Sequence, residues 1–345
     1  MSKNFKICGR EIGENHPPLV IAEIGINHNG DLKKAKQMIS DAHNSGAECV
    51  KFQCHIIEDE MIPNEIIPAN ATESIWEIMK KCSFSKEHEN ELKKYTESLG
   101  MFYLSTPFSR AAANRLEELD LCAYKIGSGE CNNFPLVYHI ASFGKPVILS
   151  TGMNNIETIS KSVKILQDAN VDYALMHVTS MYPTPYDKVR LNVIKELKTK
   201  FPDTVIGLSD HSFGNYTCFA ATSLGASILE KHFTSDKNWP GPDIPISINP
   251  MELKDLILGS AAIFNSMKGE KDILDGEKET AKFAYASVVT INDMKQGEVF
   301  TSENIWVKRP GTGKIHAEFF NKILNKKSST GIKKNTQLDW SMIDE

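Results

Sequence analysis

No stretch of the sequence reaches the roughly 20 consecutive apolar residues that a membrane-spanning helix needs. The opening "MSKNFKICGREIGENHPP" also lacks the apolar segment of a secretory leader. The expectation is a cytoplasmic protein, with no membrane association. Excess charge of one sign is lacking too: Lys+Arg 39 against Asp+Glu 44 leaves a formal charge of -5. That balance offers no global attraction to nucleic acid or to anionic membranes, so any anion must be held locally. The seven cysteines (Cys8, Cys49, Cys54, Cys82, Cys122, Cys131 and Cys218) are odd in number and scattered. They lack the CxxC spacing of a zinc site or redox pair and are expected as reduced thiols. Internal repeats and low-complexity tracts are missing as well. What remains is 345 residues at 41% hydrophobic content, enough for one large domain or one large and one small.

Short apolar runs rich in β-formers recur along the first two thirds: "LVIAEIG" (19–25), "ECVKFQ" (48–53), "MFYLST" (101–106), "CAYKIGS" (122–128), "PVILST" (146–151), "YALMHVT" (173–179), "TVIGLSDH" (204–211) and "SILEKHF" (227–233). The segments between them carry helical spacing, as in "DLKKAKQMISDAHNSG", where Leu32, Ala35, Met38, Ile39 and Ala42 share a face. Near-continuous apolar strands alternating with helices predict an α/β protein, a (β/α)8 TIM barrel of parallel strands. An open doubly wound sheet is the alternative, because periodicity does not show closure. The insertion "IIEDEMIPNEIIPANATES" after the second strand is long, as substrate-contacting βα loops often are.

After the eighth strand comes a predicted helix, "MELKDLILGSAAIFNSMKG", and then a charged stretch. The expected organisation is a catalytic barrel over 1–268, a linker over 269–282 and a small β-rich domain over 283–345. That last segment has few residues for a core of its own and is expected to pack on something else. It carries "VKRPGTGKIH", where proline and glycine fix the backbone around Arg309, so the arginine is expected to be presented by a turn.

In a barrel the active site forms where the strands end, and here the ends are polar. Lys51 and Lys125 supply positive charge, while Thr106, Ser128, Ser150 and Ser209 supply hydroxyls. Together they make a receptor for a phosphate or carboxylate anion. "GSG" (127–129) and "STG" (150–152) let backbone amides approach it. His211 and His232 end neighbouring strands and can face one divalent ion, or be core histidines. Two protein nitrogens would leave positions open, as a Lewis-acid site requires. Glu23 and Glu130 are acid or base candidates, or partners of Lys51 and Lys125. This set suggests carbon–carbon chemistry between an anionic donor and a polarised carbonyl.

The ordered motifs "IAEIGINHNG", "VKFQ", "STPFS", "YKIGSGE", "ILSTGM", "YPTPY", "GLSDHS", "LEKHFT", "GPDI" and "RPGTG" resemble the sialic acid synthase family, the bacterial NeuB-like N-acetylneuraminate synthases. The resemblance runs from about residue 17 onward, and the tail after 283 resembles that family's antifreeze-like (SAF) domain. It implies condensation of phosphoenolpyruvate with the open-chain aldehyde of N-acetylmannosamine, giving a nine-carbon 2-keto sugar acid and phosphate by C–O cleavage. A divalent metal, Mn2+ first and Mg2+ or Co2+ otherwise, would sit on His211 and His232. Lys51, Thr106, Lys125, Ser128, Ser150, Ser180 and Ser209 would hold phosphoenolpyruvate. Gln53, Asn70, Glu130, Tyr182, Glu230, Asp243, Phe283 and Arg309 would face the aminosugar. Glu23 would position or deprotonate the attacking water or a substrate hydroxyl. The family pattern also implies a homodimer in which one SAF domain covers the partner barrel, with Arg309 reaching the N-acetyl group. The chain departs from it at Ser180, where relatives often have asparagine. "FAYAS" (283–287) favours the sialic acid branch over one using a 2,4-diacetamido-trideoxy hexose, as a legionaminic acid synthase does.

Two rival functions remain open on sequence: a Schiff-base aldolase using Lys125 or Lys51, and a non-catalytic carbohydrate- or ice-binding protein. The lysine-rich terminus lacks the stacking aromatics of a nucleic-acid surface and is expected to be a solvated face.

Overall fold

The computed structural model describes residues 4–344. The chain divides between Lys268 and Gly269 into two compact units. In the first, eight parallel strands follow the apolar runs closely: β3 (Leu19–Gly25), β4 (Cys49–Cys54), β5 (Phe102–Pro107), β6 (Tyr124–Ile126), β7 (Val147–Ser150), β8 (Tyr173–Val178), β9 (Val205–Asp210) and β10 (Ile228–His232). They are preceded by an antiparallel hairpin of β1 (Phe5–Ile7) and β2 (Arg10–Ile12). The parallel hydrogen-bonded order is β5-β4-β3-β10-β9-β8-β7-β6. β5 and β6, at its two ends, lie side by side. The result is a nearly closed barrel, not the open doubly wound sheet.

Closure follows from burial on both strand faces. Every residue of β3, β8, β9 and β10 is buried, which a sheet achieves when helices cover its outside and its own side chains fill its inside. The helix Leu32–Asn44 shows the outer packing. Asp31 caps it by accepting from the Lys33 and Lys34 amides, and Ala35, Met38, Ile39 and Ala42 are buried on the face that the spacing predicts. Each large aliphatic side chain buried this way contributes about 1.5–3 kcal/mol.

The hairpin is not legible in the sequence, since three-residue strands are too short to show a period. It supplies Phe5, Ile7 and Ile12 to the apolar cluster inside the barrel, with Leu19, Leu104 and Ile148. It also corrects the expectation of seven reduced thiols. Cys8, at the hairpin turn, is disulfide-bonded to Cys122 across 114 residues of sequence, with Cα atoms 5.4 Å apart. Folding the hairpin back onto the barrel creates that proximity. Cys49, Cys54, Cys82, Cys131 and Cys218 are free and buried. Among the described residues no helix is long and apolar enough to cross a membrane.

The second unit contains a short helix, Lys278–Ala284, which begins in the stretch expected as a linker (269–282) and runs past its end. Its antiparallel pair joins β11 (Ser287–Thr290) to β12 (Ile305–Lys308), and isolated bridges such as Met294↔Ile332 and Val289↔Gln337 draw in the remaining loops. Val288, Phe300, Ile305, Ile315, Ile323 and Leu338 are buried together there. The expectation that this segment has little core of its own is therefore corrected: β-bridges between distant turns gather its apolar residues.

Candidate active site

Strand alternation decides which polar residues enter the barrel mouth. A cavity of about 260 Å³ is lined there by residues from the ends of successive strands, among them Glu23, Gln53, Lys125, Ser128 and Ser150. Glu23 pairs in register with both Lys51 and His232. The Lys51 ammonium lies 2.7 Å from Glu23 Oε2 and 3.8 Å from Glu230 Oε1, and it donates to Thr106 Oγ1 at 3.2 Å. Lys125 donates to Ser150 Oγ at 2.6 Å and lies 3.6 Å from Glu230 Oε1. Ser209 Oγ donates to the same Glu230 oxygen at 3.0 Å. Both lysines and both glutamates are buried.

Their protonation follows from that crowding. Burial raises the Glu23 carboxyl, only partly opposed by Lys51. For Glu230, burial also pushes upward, but Lys125 and Lys51 outweigh it and leave the group lowered. Lys51 is pulled down by burial and lifted further by Glu23 and Glu230, ending raised. Lys125 has no close carboxylate to itself, and burial lowers it to about 8.

The hydroxyl side is built around Gly152. Its amide donates to Ser128 Oγ at 3.1 Å, and a Cβ at this position would collide with the Ser128 and Ser180 hydroxyls. Ser180 Oγ is buried without a hydrogen-bond partner among the described residues. Ser180 is nevertheless one of the residues lining the cavity.

His211 and His232 also line the cavity, with ring centroids 5.4 Å apart. His211 Nδ1 donates to Thr179 O at 3.0 Å, leaving the Nε2 lone pair available. His232 Nδ1 is buried and has no hydrogen-bond partner among the described residues. Burial lowers both imidazoles, His232 well below its usual value with the help of His211, so both are neutral. Neutral rings with uncommitted nitrogens fit a divalent cation. Among the described residues no set of three or more His, Cys, Asp and Glu is gathered for a metal, so two imidazoles would leave the rest of the shell to water and substrate. Tyr182 stacks on His211 with centroids 4.2 Å apart and belongs to the cavity wall.

Some expected residues lie elsewhere. Asp243 is behind His232, with Oδ2 3.7 Å from Nδ1, and burial raises its carboxyl to about 7. Asn70 donates to Pro242 O at 3.1 Å and lines a different cavity of about 340 Å³, together with Asn29 and Lys81. Glu130 accepts from Asn133 Nδ2 at 2.6 Å and does not line the barrel cavity. Phe283 and Arg309 belong to the second unit, where both are exposed and Arg309 precedes Pro310 through a cis peptide. Phe108, Met153 and Val178 complete the wall but carry no polar signal that a sequence reading could use. Asp210 and Lys231 alternate away from the cavity and form a buried ion pair of 2.7 Å. The Ser212 and Thr217 hydroxyls donate to Asp210 at 2.9 and 2.7 Å, which fixes the turn carrying His211.

The profile of the NeuB family matches residues 38–272. The chain belongs to the NeuB family. A SAF domain profile matches residues 285–344. The N,N'-diacetyllegionaminic acid synthase of Campylobacter jejuni is 37% identical over 321 residues, 89% of this chain and 96% of that protein. The human N-acetylneuraminate-9-phosphate synthase is 34% identical over 315 residues, 89% and 88% of the two chains. The crystal structure of the sialic acid synthetase of Leptospira borgpetersenii, in complex with citrate, superposes with a TM-score of 0.75 at 32% identity, covering 81% of this chain and 95% of that one. This NeuB-family chain is thus a sialic or related nonulosonic acid synthase by family, on a TIM-like barrel with a C-terminal SAF domain.

Proposed function

We propose that the protein joins phosphoenolpyruvate to N-acetylmannosamine, releasing phosphate and forming the nine-carbon N-acetylneuraminate. The carrying observation is the pairing of two buried ammonium groups, Lys51 and Lys125, with the hydroxyls of Thr106, Ser128, Ser150 and Ser180 around one cavity. Such a wall stabilises a phosphate and a carboxylate on one small molecule. Glu23 would be the group that exchanges a proton, its carboxyl being raised by burial. Carbon 3 of the enol forms the new bond to the aldehyde carbon, and the aldehyde oxygen takes the proton held by Glu23. Water then adds at carbon 2, its proton returning to Glu23; the remaining hydroxyl proton passes to the phosphate, which departs with the C–O electron pair and leaves the keto group. His211 and His232 would hold a divalent cation, Mn2+ first, which when bound supplies Lewis-acid polarisation of the aldehyde oxygen. Gln53, Tyr182 and Glu230 would orient the sugar. Asp243 would act behind His232, and Arg309 and Phe283 would act from the SAF domain of a partner chain in a cytoplasmic homodimer.

A second sugar has its own support: the legionaminic acid synthase of Campylobacter jejuni is as similar as the neuraminate-type relative, so a 2,4-diacetamido-trideoxy hexose is the competing acceptor. A Schiff base at Lys125 also has one observation in its favour, the lowered ammonium. The test is phosphate release from phosphoenolpyruvate with a panel of aminosugars and Mn2+, with the product weighed by mass spectrometry. Release with N-acetylmannosamine and a product of the expected mass supports the reading. Release only with the diacetamido sugar moves the substrate, and no release with any of them rejects it. Borohydride trapping of a keto acid on the protein would favour the aldolase.

A further inference from the structure

Gln53 reaches Glu23 through an amide that has a donor end and an acceptor end. Its Nε2 donates to Glu23 Oε1 at 3.1 Å. Reversing the amide would set oxygen against oxygen, so something must hold the orientation. On the other side Gln53 Oε1 lies 3.0 Å from His55 Nε2, and His55 Nδ1 lies 2.8 Å from Glu60 Oε2. Both imidazole nitrogens therefore face oxygens that accept. A ring carrying a proton on each nitrogen satisfies both contacts, with Glu60 as its counter-charge. A ring carrying its single proton on Nδ1 would instead offer Gln53 a lone pair and draw its NH2 away from Glu23.

The surroundings hold this chain firmly. The His55 and Glu60 side chains are 2% and 10% exposed, so the pair is shielded from water. The His55 ring lies flat on Phe108, with centroids 4.7 Å apart and planes 14° from parallel. Phe108 lines the cavity, and His55 does not. Glu60 ends the short helix Ile57–Glu60, which is anchored in turn by Asp59 Oδ2 accepting from the Ala111 amide at 2.8 Å. The long loop after β4 thereby gains a structural link into the cavity wall through residues that never touch it.

We propose that His55, held by Glu60, is a positioning residue that keeps the Gln53 amide donating to Glu23. The geometry stands by itself; its catalytic consequence rests on the synthase reading above. His55→Phe keeps a ring on Phe108 and removes both nitrogens, while Glu60→Gln keeps the imidazole and removes its counter-charge. With phosphoenolpyruvate, aminosugar and Mn2+ as probes, each should lower kcat about tenfold, the scale of one charge-assisted hydrogen bond, and leave the KM for phosphoenolpyruvate within about twofold. In a Gln53→Ala background, His55→Phe should cost nothing more, because the amide through which it acts is gone. A structural role would instead give additive losses and a lowered melting temperature, and that result overturns the proposal. Selective 15N labelling of glutamine adds a readout independent of turnover. The Gln53 side-chain amide, assigned by its loss in Gln53→Ala, should be fixed and slow to exchange in the unmodified protein and shift in both variants. An unchanged amide in both variants refutes the positioning role. Absence of phosphate release from the unmodified protein would reject the synthase reading alone, since the amide spectra still decide the orientation.

Discussion

Lys125 is the cation of the cavity whose charge is least secured. Lys51 has Glu23 at 2.7 Å, whereas Lys125 shares Glu230 at 3.6 Å with Lys51 and otherwise leans on the Ser150 hydroxyl. Burial brings it to about 8. Below that pH it is an ammonium that binds an anion, and above it the free protein loses the charge. The kcat/KM for phosphoenolpyruvate should therefore fall as pH rises through about 8, approaching tenfold per unit once the neutral amine dominates. Lys125→Met removes a charge-assisted contact of about 1.5–3 kcal/mol, or roughly ten- to a hundredfold in phosphoenolpyruvate affinity. It should also abolish the limb at about pH 8, because the amine that titrates there is gone. The assay is initial phosphate release from pH 6.5 to about 9.5 at saturating sugar, with equilibrium binding of phosphoenolpyruvate measured separately. An unaltered alkaline limb in Lys125→Met would refute the assignment. So would tight binding of phosphoenolpyruvate by that variant at pH 7.

Chelation with EDTA should abolish turnover, Mn2+ should restore it, and His232→Ala should weaken Mn2+ binding at least about tenfold by electron paramagnetic resonance; full turnover after chelation would remove the metal. Gly152→Ala should raise the KM for phosphoenolpyruvate about tenfold by pressing on the Ser128 and Ser180 hydroxyls, and an unchanged KM would detach those hydroxyls from the anion. Arg309→Ala should raise the KM for the sugar roughly ten- to a hundredfold and spare phosphoenolpyruvate binding. Mixing it with Glu23→Gln under subunit exchange should restore turnover, and no recovery despite demonstrated exchange would refute action across a dimer.

Strand identity was legible because burial on both faces leaves a continuous apolar run, as in "LVIAEIG", and the positions at the ends of such runs are where a barrel must place its polar groups. Lys51, Lys125, Ser150, Ser209, His211 and Glu230 could be selected on that rule alone, and they meet in one cavity. Where the rule is silent, the sequence is silent too. The β1–β2 hairpin is too short for a period, and the Cys8–Cys122 link depends on that hairpin. Asn70 and Glu130 sit on a loop and a 3-10 turn, where no alternation dictates the direction of a side chain, and neither lines the barrel cavity.

Alternation also explains a division of labour between adjacent residues. In "SDHS" and "EKH" the charged neighbours of the imidazoles, Asp210 and Lys231, turn outward and pair with each other beneath the helices. Their two charges cancel in place, so the ion pair fixes the turn without adding net charge to the cavity. Glu23 and Glu230 turn inward instead and oppose Lys51 and Lys125. With all four ionised, the cavity charge sums to zero. Protonating the one group raised by burial, Glu23, leaves it positive. An incoming anion would favour that positive form, so phosphoenolpyruvate binding and proton uptake at Glu23 are linked. Binding measured calorimetrically in buffers of different ionisation enthalpy should therefore show proton uptake, and Glu23→Gln should remove it. Binding without proton uptake in the unmodified protein would mean that the anion is balanced by the two ammonium groups alone.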